Sequence, residues 1–264
     1  IESAGPDAAN FKFPVTFYCP RPNDVLTIDD LGQLFADFNG RVHAVPARFS
    51  LRLEQVDRYV RLSRSLYEEP FLFEHGGVAE GAASLGGKSK ELVAQTVFVR
   101  AVRGACEGRR FQDTGEHLPD NPTLTDATFD ELRDSIGAFF NTIAEYMGDE
   151  RWEDADSVHL TSPGWQALGV LHHDLVVRQL VADPLKTAKK LASLDWSRFN
   201  EDWLANGLGD PEVDKDTGAV VVDQKGRKRL ALTNRGRTSV DIILGYAREQ
   251  LGIKDVAEAA SQTQ

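Results

Sequence analysis

Residues Lys225–Arg237, K-G-R-K-R-L-A-L-T-N-R-G-R, hold six basic side chains and no acidic one, in a chain whose formal net charge is −11. Such a run can bind phosphate, because guanidinium and ammonium groups donate charged hydrogen bonds to its oxygens. It leads into Thr238-Ser239-Val240-Asp241, which reads as a helix start, with Thr238 as N-cap and Asp241 closing a capping-box variant. A helix N-terminus adds unpaired N–H groups and partial positive charge, a natural seat for an anion. Arg227, Lys228, Arg229, Arg235, Arg237 and Thr238 form the first candidate site. The plain alternative is a solvated basic turn.

Two further places carry the same chemistry. The helical stretch 51–66 contains Arg52, Arg58, Arg61 and Arg64, which either share a face with the basic run or pair with Glu54, Asp57, Glu68 and Glu69. Lys88 and Lys90 end a glycine-rich loop, Gly76–Gly87, ahead of a helix expected over Glu91–Ala105 with Ser89 as its cap. Arg58, Arg61, Lys88 and Lys90 therefore join the candidate phosphate contacts.

Other chemistry is weakly signalled. The chain has no Walker loop, no G-x-G-x-x-G after a strand and no G-x-S-x-G. Asp214–Gly218 hints at a calcium loop, but Lys225 stands where the twelfth-position carboxylate is needed, so a turn is the better reading. His172 and His173 sit mid-helix with no His or Cys at i+4 to share a metal, which makes them structural. Glu212, Asp214 and Lys215 have the residue types of a metal-dependent nuclease at a spacing too general to identify one.

The elements that must position these groups follow from periodicity. Phe11–Cys19 alternates as a strand, placed at an edge or bulge by Pro14. Thr27–Asn39 reads as a helix. Thr128-Phe129-Asp130-Glu131 is a capping box opening the clearest helix, with an apolar stripe at Phe129, Leu132, Ile136, Phe139, Phe140, Ile143 and Met147. An acidic loop is expected over Gly148–Asp156. Ser162-Pro163 and Asp183-Pro184 are start signals for helices reaching Val181 and about Leu194. Trp196 and Trp203 follow as a packed pair. Gly218–Asp223 and Lys228–Leu232 read as a hairpin with the basic run at its tip, and the last helix runs Ser239–Leu251 with Gly252 as its stop.

Composition bounds the class. Of 264 residues 41% are hydrophobic and 27% charged, and no apolar run is long enough to span a bilayer. Ile1–Asn10 lacks the basic start and apolar centre of a signal peptide. Two distant cysteines, Cys19 and Cys106, fit a reduced, cytoplasmic setting with both thiols buried. The acidic balance directs any nucleic-acid partner to a local patch.

Two separated regions resemble one family. Gln33-Leu34-Phe35-Ala36-Asp37-Phe38-Asn39 is similar to its Q-x-x-F-x-D-x-N helix. Val42–Arg48 and Asp57-Arg58-Tyr59-Val60-Arg61 are similar to the turn and D-x-R-D segment that follow, and Ser84–Leu92 to its serine- and lysine-bearing loop. Leu194-Asp195-Trp196-Ser197-Arg198, Asn200, Trp203, Gly226-Arg227, Leu232-Thr233-Asn234 and Leu251-Gly252 are similar to its tail. The family is DndB, of the Dnd system of DNA phosphorothioate modification, within the DGQHR-domain group. The D-G-Q-H-R signature is not in this sequence. In the family it lies upstream of the Q-x-x-F-x-D-x-N helix, so an upstream ParB-like part is expected before Ile1.

The resemblance implies double-stranded DNA binding, as a transcriptional regulator of the modification genes or an accessory to modification. An ATP-dependent accessory enzyme and a protein–protein scaffold of the modification complex are the alternatives. Other Dnd proteins are implied partners. A homo-oligomer is possible, while no membrane contact, no catalytic or metal-ligating residue and no cofactor are expected. The expected architecture is α+β and mainly α: a helical body with a residual ParB-like N-terminal strand and a small C-terminal β-hairpin. Residues 1–67 would be the remnant of the ParB-like DGQHR domain, 68–253 a helical domain with the basic hairpin, and 254–264 a flexible tail.

Overall fold

The computed structural model describes residues 57–86, 89–112, 118–231 and 237–253. The strand expected over Phe11–Cys19, the helix over Thr27–Asn39, Arg52, Lys88, Arg235 and the tail 254–264 lie outside them. The described part is mainly helical, as expected, with one two-strand sheet. Its longest helix follows the apolar stripe: α4, Phe129–Met147, buries Leu132, Ile136, Phe139, Phe140, Ile143 and Met147. The capping box is not formed. The Thr128 hydroxyl instead donates to Thr123 O (2.6 Å) and accepts from Thr125 N (2.8 Å). A turn made by the threonine competes with the cap. Asp130 and Glu131 still lie in the first turn, where the helix dipole favours carboxylates.

Helix α1, Arg58–Ser65, starts at an N-cap, with Asp57 Oδ1 accepting from Tyr59 N and Val60 N at 2.8 and 3.1 Å. Its buried Tyr59, Leu62 and the following Leu66 join one core with the rest of the described chain. The short α2, Pro70–Phe73, buries Phe71 and Leu72. The helix expected from Glu91 begins later, as α3, Gln95–Glu107. Two observations explain the delay. Val93–Ala94 (β2) pairs in parallel with Val78–Ala79 (β1), and the Ser89 hydroxyl is spent on the Glu91 carboxylate at 2.5 Å, not on a cap.

The acidic loop expected after α4 contains a further turn of helix, α5, Asp149–Trp152. Helix α6, Ser162–His172, is capped by Thr161, not Ser162: Thr161 Oγ1 accepts from Gly164 N at 3.1 Å. It ends in a π turn over His173–Val177 and does not continue as α-helix to Val181. Helix α7, Pro184–Ala192, starts at Asp183 as the D-P signal indicates. It is followed by α8, Glu201–Ala205. Helix α9 spans Arg237–Leu251 and stops at Gly252 (φ +69°).

Helix α3 packs chiefly on α6, α4 on α7, and α9 on α6 and α7. Their shared core is a run of rings. Phe71 stacks on Phe140 (5.1 Å), Trp165 on Phe140 (5.6 Å), and Trp152 meets both Trp165 and His159. Trp196, Trp203 and Tyr246 extend it, and the tryptophan pair is buried as expected. His172 is structural. Fully buried, its Nδ1 meets Ala105 O at 3.0 Å and its Nε2 the Ser135 hydroxyl at 3.1 Å. Cys106 is buried among the same helices. No described helix is long and apolar enough to cross a membrane.

The C-terminal β element is more than a hairpin. Three segments near Glu212, Val221 and Arg229 exchange backbone bonds in a ring. Glu212 N donates to Arg229 O (2.7 Å), Arg229 N to Val221 O (2.9 Å) and Val221 N to Glu212 O (2.9 Å). The antiparallel bridges are Pro211↔Leu230, Val213↔Val220 and Val222↔Lys228. Asp214 makes the first turn by accepting from Asp216 N and Thr217 N, so the turn reading of that motif holds.

Candidate nucleic-acid interface and adjoining cavity

The basic run is divided by its partners. Arg229 points back into the body, where its guanidinium pairs with Asp156 and, at 3.1 Å, with Glu212. Arg198 completes a four-residue ion network, reaching Glu212 at 2.6 Å and Asp156 at 3.5 Å while donating to Leu230 O at 2.9 Å. Arg227 lies across its own turn: Nε donates to Asp223 at 2.8 Å, and Asp195 stands 3.5 Å away. The other Asp223 oxygen accepts from Lys225 N and Arg227 N, which fixes the turn. Lys225 and Lys228 stay exposed, and neither ammonium has a hydrogen-bond or ion-pair partner among the described residues.

The helix start is also rearranged. Thr238 is not an N-cap, because α9 already begins at Arg237 and places Thr238 inside its first turn. Asp241 does not reach back to close a box. It accepts from Arg109 Nε at 2.6 Å, while Arg109 Nη2 donates to Arg237 O at 3.0 Å. Of the arginine-rich helix, Arg58 meets Asp126 (3.4 Å) and Arg61 lies over the Phe129 ring (5.6 Å). Helix α1 packs on α3 and α4, whereas α9 packs on α6 and α7.

Lys90 borders something the sequence did not announce, a cavity of about 840 Å³. Its apolar lining comes from Leu92, Val158, Leu160, Leu208, Leu230 and Ile243. Its polar lining comes from His75, Glu153, Glu74, Lys90 and the Thr161–Ser162 start of α6. Ser239 of α9 also lines it, so the loop, the ring and the last helix, three separate sequence features, meet at one opening. Gly76 (φ +92°) holds the loop in place: a Cβ there would strike the Lys90 carbonyl. Gly77 O accepts from Leu92 N at 2.9 Å. His75 Nδ1 donates to Glu153 Oε1 at 2.7 Å. These two residues are 78 positions apart and carry no shared motif, so only the fold joins them.

A family model for DndB, described as DNA-sulfur modification-associated, matches residues 1–254. The chain belongs to the DndB family. No curated protein and no solved structure matches it. Membership in DndB ties this chain to DNA sulfur modification. It assigns no role to the individual residues of the ring or the cavity.

The ion network makes one clear prediction. Arg229→Ala leaves Asp156 and Glu212 facing Arg198 alone, in a site where the arginine side chain is 22% exposed. The expected cost is about 2 kcal/mol, since removing one partner of a partly buried pair strands the others. Denaturant unfolding of the variant checks it. A loss no larger than that of Lys228→Ala would show the network to be idle.

Proposed function

We propose that this protein contacts the DNA backbone within DNA sulfur modification, as a regulator of the modification genes or an accessory to the modification itself. The supporting observation is the pair Lys225 and Lys228, exposed and without carboxylate partners among the described residues, on a turn braced by Asp223. Phosphate contacts position a protein on a duplex without reading sequence, and such a turn offers that kind of contact. With a net charge of −11, attraction must be local. The arginines between and after the lysines serve a different purpose in this reading: Arg227 and Arg229 hold the shape of the turn and ring.

The test separates charge from folding. Each phosphate contact contributes roughly 0.9 to the slope of log affinity against log salt, so Lys225→Ala with Lys228→Ala should flatten it by about 1.8. Fluorescence titrations of a labelled duplex at several salt concentrations measure the slope, and an unchanged melting temperature confirms the fold. An unchanged slope in the folded double variant would remove the turn from the interface. Stronger binding to DNA upstream of the modification genes than to a shuffled duplex would favour the regulator.

A further inference from the structure

We propose that the cavity beside His75 is a binding site for a small zwitterion of the α-amino-acid class with a large apolar side chain. The inference is independent of DNA contact, because Lys225 and Lys228 do not line the cavity. Its volume, about 840 Å³, lies in the range of ligand sites. Two kinds of lining argue for an amphipathic ligand. Part of it is hydrocarbon: Leu208, Leu230 and Ile243 are buried core residues. The rest carries both signs of charge, Lys90 with Glu74, Glu91 and Glu153.

His75 belongs to the polar lining. Its side chain is 9% exposed, Nδ1 is engaged by Glu153, and Nε2 has no partner among the described residues. In the uncharged tautomer whose Nδ1 donates to the carboxylate, Nε2 carries a lone pair, an acceptor for a ligand N–H. Glu74 beside it has no side-chain partner among the described residues either. An ammonium satisfies both acceptors. Across the loop, Lys90 is exposed, and the α6 start contributes Ser162 and the positive end of an eleven-residue helix. These donors suit a carboxylate. A head group carrying ammonium and carboxylate on one carbon would use both sets at once, with its side chain against the apolar lining. A polyphosphate would bring several negative charges against Glu74, Glu91 and Glu153. Among the described residues, no group of three His, Cys, Asp or Glu could hold a metal ion there.

L-Phenylalanine, 2-phenylethylamine and 3-phenylpropionate test the idea on the 264-residue chain. They share the ring and differ in which charge they carry. Ligand-observed NMR titration should show saturable binding of phenylalanine, with each single-charge analogue weaker by about tenfold, the effect of losing one charged hydrogen bond. Glu153→Gln should reduce that preference over phenylpropionate, and Lys90→Met the preference over phenylethylamine. Leu208→Ala should weaken all three probes together. Equal binding of the three, or none of any, overturns the proposal. So does an unchanged preference in folded Glu153→Gln and Lys90→Met proteins. Loss of the DNA salt effect would leave this result untouched.

Discussion

Gly169→Ala should lower the melting temperature by about 6–12 °C, corresponding to about 3 kcal/mol in a protein of this size. On an exposed helix the same change stabilises, by up to ~1 kcal/mol, because alanine loses less backbone entropy. Gly169 sits within α6 where that helix crosses α3, and α3–α6 is the chief helix contact of the fold. A Cβ on Gly169 would fall inside the van der Waals shell of the Ala101 carbonyl oxygen and 3.0 Å from Ala101 Cα. The neighbour is backbone, so no rotamer change relieves it. The two helices must separate, which opens the ring stack around Phe98 and Trp165. Gly245, with nothing within 4 Å of a Cβ, is the control: Gly245→Ala on α9 should be neutral or stabilising. Thermal melts of the two variants check both signs. Equal, small effects would show that α3 and α6 can slide apart freely.

Asp174→Asn should cost about as much, about 3 kcal/mol, through a different cause. Asp174 is the second residue of the π turn, with its side chain 1% exposed and facing three basic groups. Arg248 of α9 donates to Oδ2 at 2.6 and 2.9 Å, Arg178 donates to Oδ1 at 3.1 Å, and His173 Nδ1 lies 3.9 Å from Oδ1. The carboxylate therefore ties the end of α6 to α9. Burial alone would raise its pKa, but the His173 and Arg248 contacts and the Arg178 charge hold it below the usual carboxylate range. Because the folded value is depressed, the stability is fully present above the unfolded pKa, near 4. It is lost as pH falls through the lower folded value.

Two other groups shape the acid limb in both proteins. Burial lowers the His159 and His172 pKa values to about 4, so each favours the fold above pH ~6.5 and loses that contribution between there and about 4. The difference in melting temperature between wild type and Asp174→Asn isolates the carboxylate. It should be constant from pH 8 to 5 and shrink as the pH falls below about 4. A difference that does not change with pH would mean that Asp174 acts by shape alone.

Local patterns were legible wherever one face of one element decided the outcome. The α4 stripe from Leu132 to Met147, the Asp183-Pro184 start, the Gly252 stop and the Asp214 turn all read correctly, because each rests on spacing within a few residues. Caps were less legible. Thr128, Ser162, Ser89 and Thr238 all have the chemistry of an N-cap, yet Thr128 and Ser89 bond other groups close in sequence, Thr161 caps in place of Ser162, and α9 has begun before Thr238. The family resemblance came from short motifs in the right order, and the DndB match over 1–254 supports it.

The mainly helical class, the family and the places where positive charge is concentrated follow from residue types and their spacing alone. Which of those charges face solvent depends on packing between distant segments. Arg229 and Lys228 are neighbours of similar chemistry in the sequence. Adjacent positions on an extended segment point to opposite sides, so one meets Asp156 from 73 positions away and the other meets water. The cavity has the same origin. His75, Glu153, Leu208 and Ile243 come from four separate segments, and no local pattern encodes a space that exists only after those segments have packed.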